Sequence, residues 1–73
     1  MPKTIFVIDD EEPIRRIVRS YLEKEGYRIQ EFEDGESALS AFREGEPDML
    51  IIDIMMPGMS GFELCNEIRK SAN

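Results

Sequence analysis

A chain of 73 residues makes one small domain, and a core of that size rarely supplies more than roughly 3–5 kcal/mol. Acids outnumber Lys and Arg by 16 to 9, a formal charge of −7. That balance argues against direct contact with nucleic acid or anionic lipid and favours cations or basic protein surfaces.

The single cysteine, Cys65, excludes an intrachain disulfide and fits a reducing, cytoplasmic setting. With no histidine to activate it, it reads as core filler rather than nucleophile. Met1-Pro2-Lys3 leads straight into a short strand pattern, so no signal peptide is expected. No apolar run reaches membrane-spanning length.

Thr4 to Ile8, TIFVI, is β-branched and aromatic and reads as a fully buried strand. It ends in four acids, Asp9 to Glu12, and Pro13 suits the first turn of a helix. Ile14, Ile17, Val18, Tyr21 and Leu22 then predict one apolar helix face. Arg15, Arg16, Arg19 and Glu23 fall on the other, and Gly26 ends the helix. Acids at a helix N-terminus each contribute about 0.3–1 kcal/mol, which accounts for Glu11 and Glu12 better than for Asp9 at the strand end.

Tyr27 to Phe32 alternates apolar and polar residues, as a half-exposed edge strand does. Asp34 opens a second helix with the apolar face Ala38, Leu39, Ala41 and Phe42, and Gly45-Glu46-Pro47 stops it. Met49 to Ile52 reads as a third strand, buried on both faces, that runs into Asp53. A Pro57 to Gly61 loop follows, and Ser60 and Glu63 form a capping box. Phe62, Leu64, Cys65 and Ile68 then mark a third helix, which ends near Asn73.

Strand alternates with helix three times, and the short connections imply right-handed crossovers and a parallel sheet. The two apolar strands pair and the polar one lies outside, so the predicted order is 2-1-3. The expected class is α/β, half of a flavodoxin-like fold, with helices on both faces.

That order brings the carboxyl ends of the first and third strands about 4.8 Å apart, where ligands bind in open α/β sheets. Asp9, Asp10 and Asp53 therefore converge. Three carboxylates so close repel unless a cation intervenes. Oxygen ligands without His or Cys point to Mg2+. Beside a carboxylate, such a cation also prepares it for phosphoryl transfer, because it shields the charges that repel the incoming group.

The motifs V-I-D-D-E (Val7 to Glu11) and I-I-D-I-M-M-P-G-M-S-G (Ile51 to Gly61) resemble those of receiver domains in bacterial two-component response regulators. The likeness covers the whole chain but only the first three strand–helix units of that fold, so residues 1–73 are expected to be a truncated receiver domain. It implies that Asp53 is the phosphoacceptor and that Asp10 ligates Mg2+ directly. It implies that Asp9 acts mainly through water and that the backbone carbonyl of Met55 is a further ligand. Pro57 and Gly61 match the loop that shapes the backbone beside the acceptor. The implied role is signalling rather than enzymatic, with a sensor histidine kinase as partner of the full-length parent.

Receiver domains continue with a strand ending in Thr or Ser and another ending in Lys, whose side chains contact the phosphoryl oxygens. No residue here takes those roles; Lys70 lies in the third helix. The sequence is thus expected to be a poor switch. The alternative reading is an isolated or engineered half-fold that self-assembles as a dimer through the bare third strand, Met49 to Ile54. A Mg2+-dependent aspartyl phosphatase is disfavoured, because Met55 stands where a second acid belongs. A dinucleotide site is excluded by the acids of the first loop.

Overall fold

The computed structural model describes residues 2–71. In chain order the elements are β1 (Thr4–Ile8), α1 (Glu12–Lys24), β2 (Arg28–Phe32), α2 (Gly35–Glu44), β3 (Met49–Ile52) and α3 (Gly61–Ser71). The three strands form one parallel sheet in the order β2-β1-β3, as predicted. The last two residues and Met1 lie outside the described range, so the end of the third helix is described only to Ser71.

β1 is central, flanked on both sides by parallel partners, and its residues Ile5 to Ile8 are buried. Successive side chains of a strand point to opposite faces. Phe6 and Ile8 join Ala38, Leu39 and Phe42 of α2 and Leu64 and Ile68 of α3 in the larger core. The Phe6 ring also meets Phe32 of β2, with centroids 4.8 Å apart and planes tilted by 57°. Ile5 and Val7 join Ile29, with Val18 and Leu22 of α1 packed beside them. One helix therefore covers one face and two cover the other.

The local signals act where expected. Asp34 caps α2, its Oδ1 accepting from the Ser37 amide at 2.7 Å. Gly26, just past the end of α1, sits at φ +93°, where a side chain would be strained. The capping box of α3 closes both ways: the Ser60 amide donates to Glu63 at 3.1 Å and the Glu63 amide to Ser60 Oγ at 3.2 Å.

Three expectations need correction. First, β3 is not buried on both faces: Met49 is 55% exposed, and Leu50, Ile51 and Ile52 are half-buried. It is an edge strand, paired only with β1, and α1 packs over β1 and β2 instead. Its ladder stops at Ile52, so the bare edge is shorter than Met49 to Ile54, and the Ile54 carbonyl instead accepts from the Gly61 amide. Second, Ile17 and Tyr21 of α1 are 68% and 66% exposed, and Ile14 is exposed too. Only Val18 and Leu22 of the predicted apolar face touch the sheet. The helix carries more apolar positions than one narrow contact can bury. Third, Arg15 is buried rather than solvated. Phe62, counted in the apolar pattern of α3, is exposed as well.

Candidate functional site

The sheet register delivers the acids. Ile8 pairs with Phe32 on one side and Ile52 on the other, so the next residues, Asp9 and Asp53, leave their strands at one level. Both remain tied to the ladder: the Asp9 amide donates to the Phe32 carbonyl at 3.1 Å, and the Asp53 amide to the Ile8 carbonyl at 2.8 Å. Both are half-buried, whereas Asp10, one residue further out, is exposed. Each of the three offers a carboxylate oxygen, and these oxygens lie within 4.8 Å of one another.

Short side-chain bonds aim two of the carboxylates. Asp9 Oδ1 accepts from the Glu11 amide at 2.9 Å, and Asp53 Oδ1 accepts from the Met55 amide at 3.0 Å. Each bond uses one oxygen and leaves the other free, the local turn chemistry typical of Asp.

The donor set fits Mg2+. That ion takes oxygen ligands at about 2.0–2.1 Å in an octahedron, which puts opposite ligands about 4.2 Å apart. A spread of 4.8 Å closes to that value with small side-chain shifts.

The segment after Asp53 is anchored at both ends. Met56 is buried in the larger core, and Met59 packs against it. Between them Pro57 is exposed and Gly58 sits at φ +75°. Met55 is 83% exposed, its side chain pointing away from the core. Gly61 lies against the end of β3: a Cβ there would stand 2.6 Å from the Asp53 carbonyl oxygen and 2.7 Å from Ile54 Cα. Cys65 is half-buried on α3.

Arg15, absent from the predicted site, touches it, and Glu31 stands behind Arg15. Arg15 Nη1 donates to the Asp9 carbonyl at 2.6 Å, and its Nε to Glu31 Oε1 at 3.2 Å. The other Glu31 oxygen accepts from Arg19 Nη1 at 2.7 Å. The Glu31 carboxyl is held below its ordinary value, chiefly by the Arg19 bond, against the opposing pull of burial and with Arg15 adding to the effect. The sequence does hold a signal for Arg15: it shares the i, i+3, i+7 stripe of Val18 and Leu22.

The family model for the response regulator receiver domain matches residues 5–73. The chain belongs to the response regulator receiver domain family. It is 47% identical over 66 residues to the transcriptional regulatory protein ResD of Bacillus subtilis, covering 90% of this chain and 28% of ResD. Among solved structures, the chemotaxis protein CheY4 of Vibrio cholerae superposes with a TM-score of 0.94 at 30% identity, covering 99% of this chain and 60% of that one. The response regulator TrrA of Thermotoga maritima, solved with Mg2+ and BeF, gives a TM-score of 0.89 at 50% identity, covering 93% and 59%. TrrA is also solved in complex with the histidine kinase ThkA. This receiver chain thus spans 60% or less of each of these relatives.

Proposed function

We propose that this receiver domain is a phosphoacceptor module of two-component signalling in the cytoplasm. Asp53 takes the phosphoryl group, and Mg2+ is held by Asp9, Asp10, Asp53 and the backbone carbonyl of Met55. The convergence of three carboxylate oxygens within 4.8 Å at the ends of β1 and β3 carries the reading. The Mg2+-bound relative supports the choice of ion, and the kinase-bound one supports a sensor histidine kinase as partner.

The Asp53 oxygen not engaged by the Met55 amide forms a bond to phosphorus. The donor's bond to phosphorus breaks, and its electron pair stays with the donor, which leaves as a carboxylate when the donor is an acyl phosphate. At this cluster a Mg2+ ion would supply charge shielding between the three acids and the incoming phosphoryl oxygens. Asp9 and Asp10 would hold the ion, and the bond from the Gly61 amide to the Ile54 carbonyl ties the backbone after Asp53 to the start of α3.

Within these 73 residues nothing fills the hydroxyl and lysine roles of the family, so transfer is expected to be slow. Removing one preorganised donor commonly costs about 10²–10³ in rate. Incubation with Mg2+ and a small acyl phosphate, followed by intact and peptide mass analysis, tests the reading. The expected result is slow gain of one phosphoryl group on Asp53, abolished by Asp53→Asn or by a chelator. A folded wild type that gains nothing, or an Asn variant that still gains it, overturns the assignment.

A second copy of the chain is the further partner supported here. The outer edge of β3 presents unpaired backbone groups beside exposed Met49 and half-buried Leu50, Ile51 and Ile52. Such an edge is a template for strand pairing. A two-fold dimer through β3 would build a six-stranded sheet.

A further inference from the structure

Among the described residues Arg15 is the one buried charged side chain, only 9% exposed, and the proposed phosphoryl transfer does not use it. Burying a guanidinium is costly unless its donors are satisfied. Its partners lie on two different strands. Nη1 reaches the carbonyl of Asp9, at the end of β1, and Nε reaches Glu31 on β2. Glu31 is in turn held by Arg19, which also bonds Glu23 at 3.0 Å. The pair is thus braced from α1 and β2 together.

The Asp9 carbonyl belongs to the peptide group that leads into Asp10. That group is planar, so fixing its oxygen fixes the position of the Asp10 Cα. The Asp9 amide is already held by Phe32 and its carboxylate by the Glu11 amide. The bond from Arg15 supplies the remaining constraint. Asp10 itself is exposed and lies outside the strand, so the peptide preceding it governs where its carboxylate points.

We propose that Arg15, braced by Glu31, is a positioning residue for the cation site: it orients the Asp9–Asp10 peptide so that both carboxylates face Asp53. This role rests on the metal reading given above. It makes a prediction opposite in sign to a simple charge effect. Removing a positive charge beside an acidic cluster should tighten binding of a cation. Removing the brace should weaken it, and loss of groups that orient metal ligands typically costs 10- to 100-fold in affinity.

The test is Mg2+ titration of the wild type, Arg15→Met and Arg15→Lys, followed by amide chemical shifts. Urea denaturation of each protein restricts the comparison to folded samples. Arg15→Met is expected to bind Mg2+ about tenfold more weakly than the wild type. Arg15→Lys keeps the charge and one reach to the Asp9 carbonyl, and is expected to fall between the two. An Arg15→Met affinity that is unchanged or tighter overturns the proposal. If the methionine variant does not fold, the lysine variant decides: weaker binding at equal charge supports a geometric role, and unchanged binding overturns it. A wild type with no Mg2+ response at Asp9, Asp10 and Asp53 overturns the metal site itself. A wild type that binds beside a methionine variant that binds equally well overturns only the role of Arg15.

Discussion

A methyl group at position 61 would meet the Asp53 carbonyl oxygen at 2.6 Å, closer than real contacts allow, and that oxygen is backbone and cannot swing aside. Gly61→Ala must therefore push β3 and α3 apart beside Asp53. Overpacking of this kind costs about 1–3 kcal/mol, to be read as a lower urea midpoint, with shifted amide signals at Asp53 and Ile54. Acid sensitivity has named sources as well. The Glu31 and Asp34 carboxyls lie below their ordinary values of 4.5 and 3.8, Glu31 chiefly through Arg19 and Asp34 through the Ser37 amide. A lowered folded-state pKa gives stability that is present above the unfolded value and is lost as pH falls through the folded one. Unfolding stability should thus decline as pH drops below the ordinary values, and Glu31→Gln should flatten part of that decline. Sequence reading found the acids because an acid at the end of an apolar strand is conspicuous. It missed Arg15 because helical spacing groups an arginine with its charged neighbours. Burial of its guanidinium depends on a carbonyl and a carboxylate supplied by other elements.

The elements themselves were legible where local chemistry decides them. Pro13, Gly26, Asp34 and the Ser60–Glu63 box all mark helix ends that the structure reproduces. Ser60→Ala removes one half of that box and should cost about 0.5–2 kcal/mol, measured by thermal or urea unfolding. The change lies at the start of α3, so the loop carrying Met55 to Met59 should loosen with it and exchange its amides faster. Burial was less legible than element type. The run Met49 to Ile52 looks like a two-sided core strand, and the apolar stripe of α1 looks like a packed face. Both are partly exposed here because α1 leans over β1 and β2 and, among the described residues, no element pairs with the outer edge of β3. Apolar pattern reports what a segment can bury, and the neighbours present decide how much of it is buried.

At the scale of the whole molecule, the exposed edge of β3 is the surface that the proposed dimer would cover. Sedimentation should show a concentration-dependent dimer. Ile51→Lys should dissociate it and lower stability together, whereas a compact, cooperatively folded wild-type monomer at high concentration would contradict it. The strand order 2-1-3 was legible because it pairs the two apolar strands and leaves the polar one at an edge, and that pairing brings Asp9, Asp10 and Asp53 together. The joint presence of an acceptor and a divalent-cation site at those strand ends is tested most directly by fluorine NMR with beryllium fluoride and Mg2+. A bound fluorine signal should appear with the wild type, require Mg2+, and vanish in Asp53→Asn. A folded wild type that shows no bound signal at saturating Mg2+ and beryllium fluoride would contradict the site.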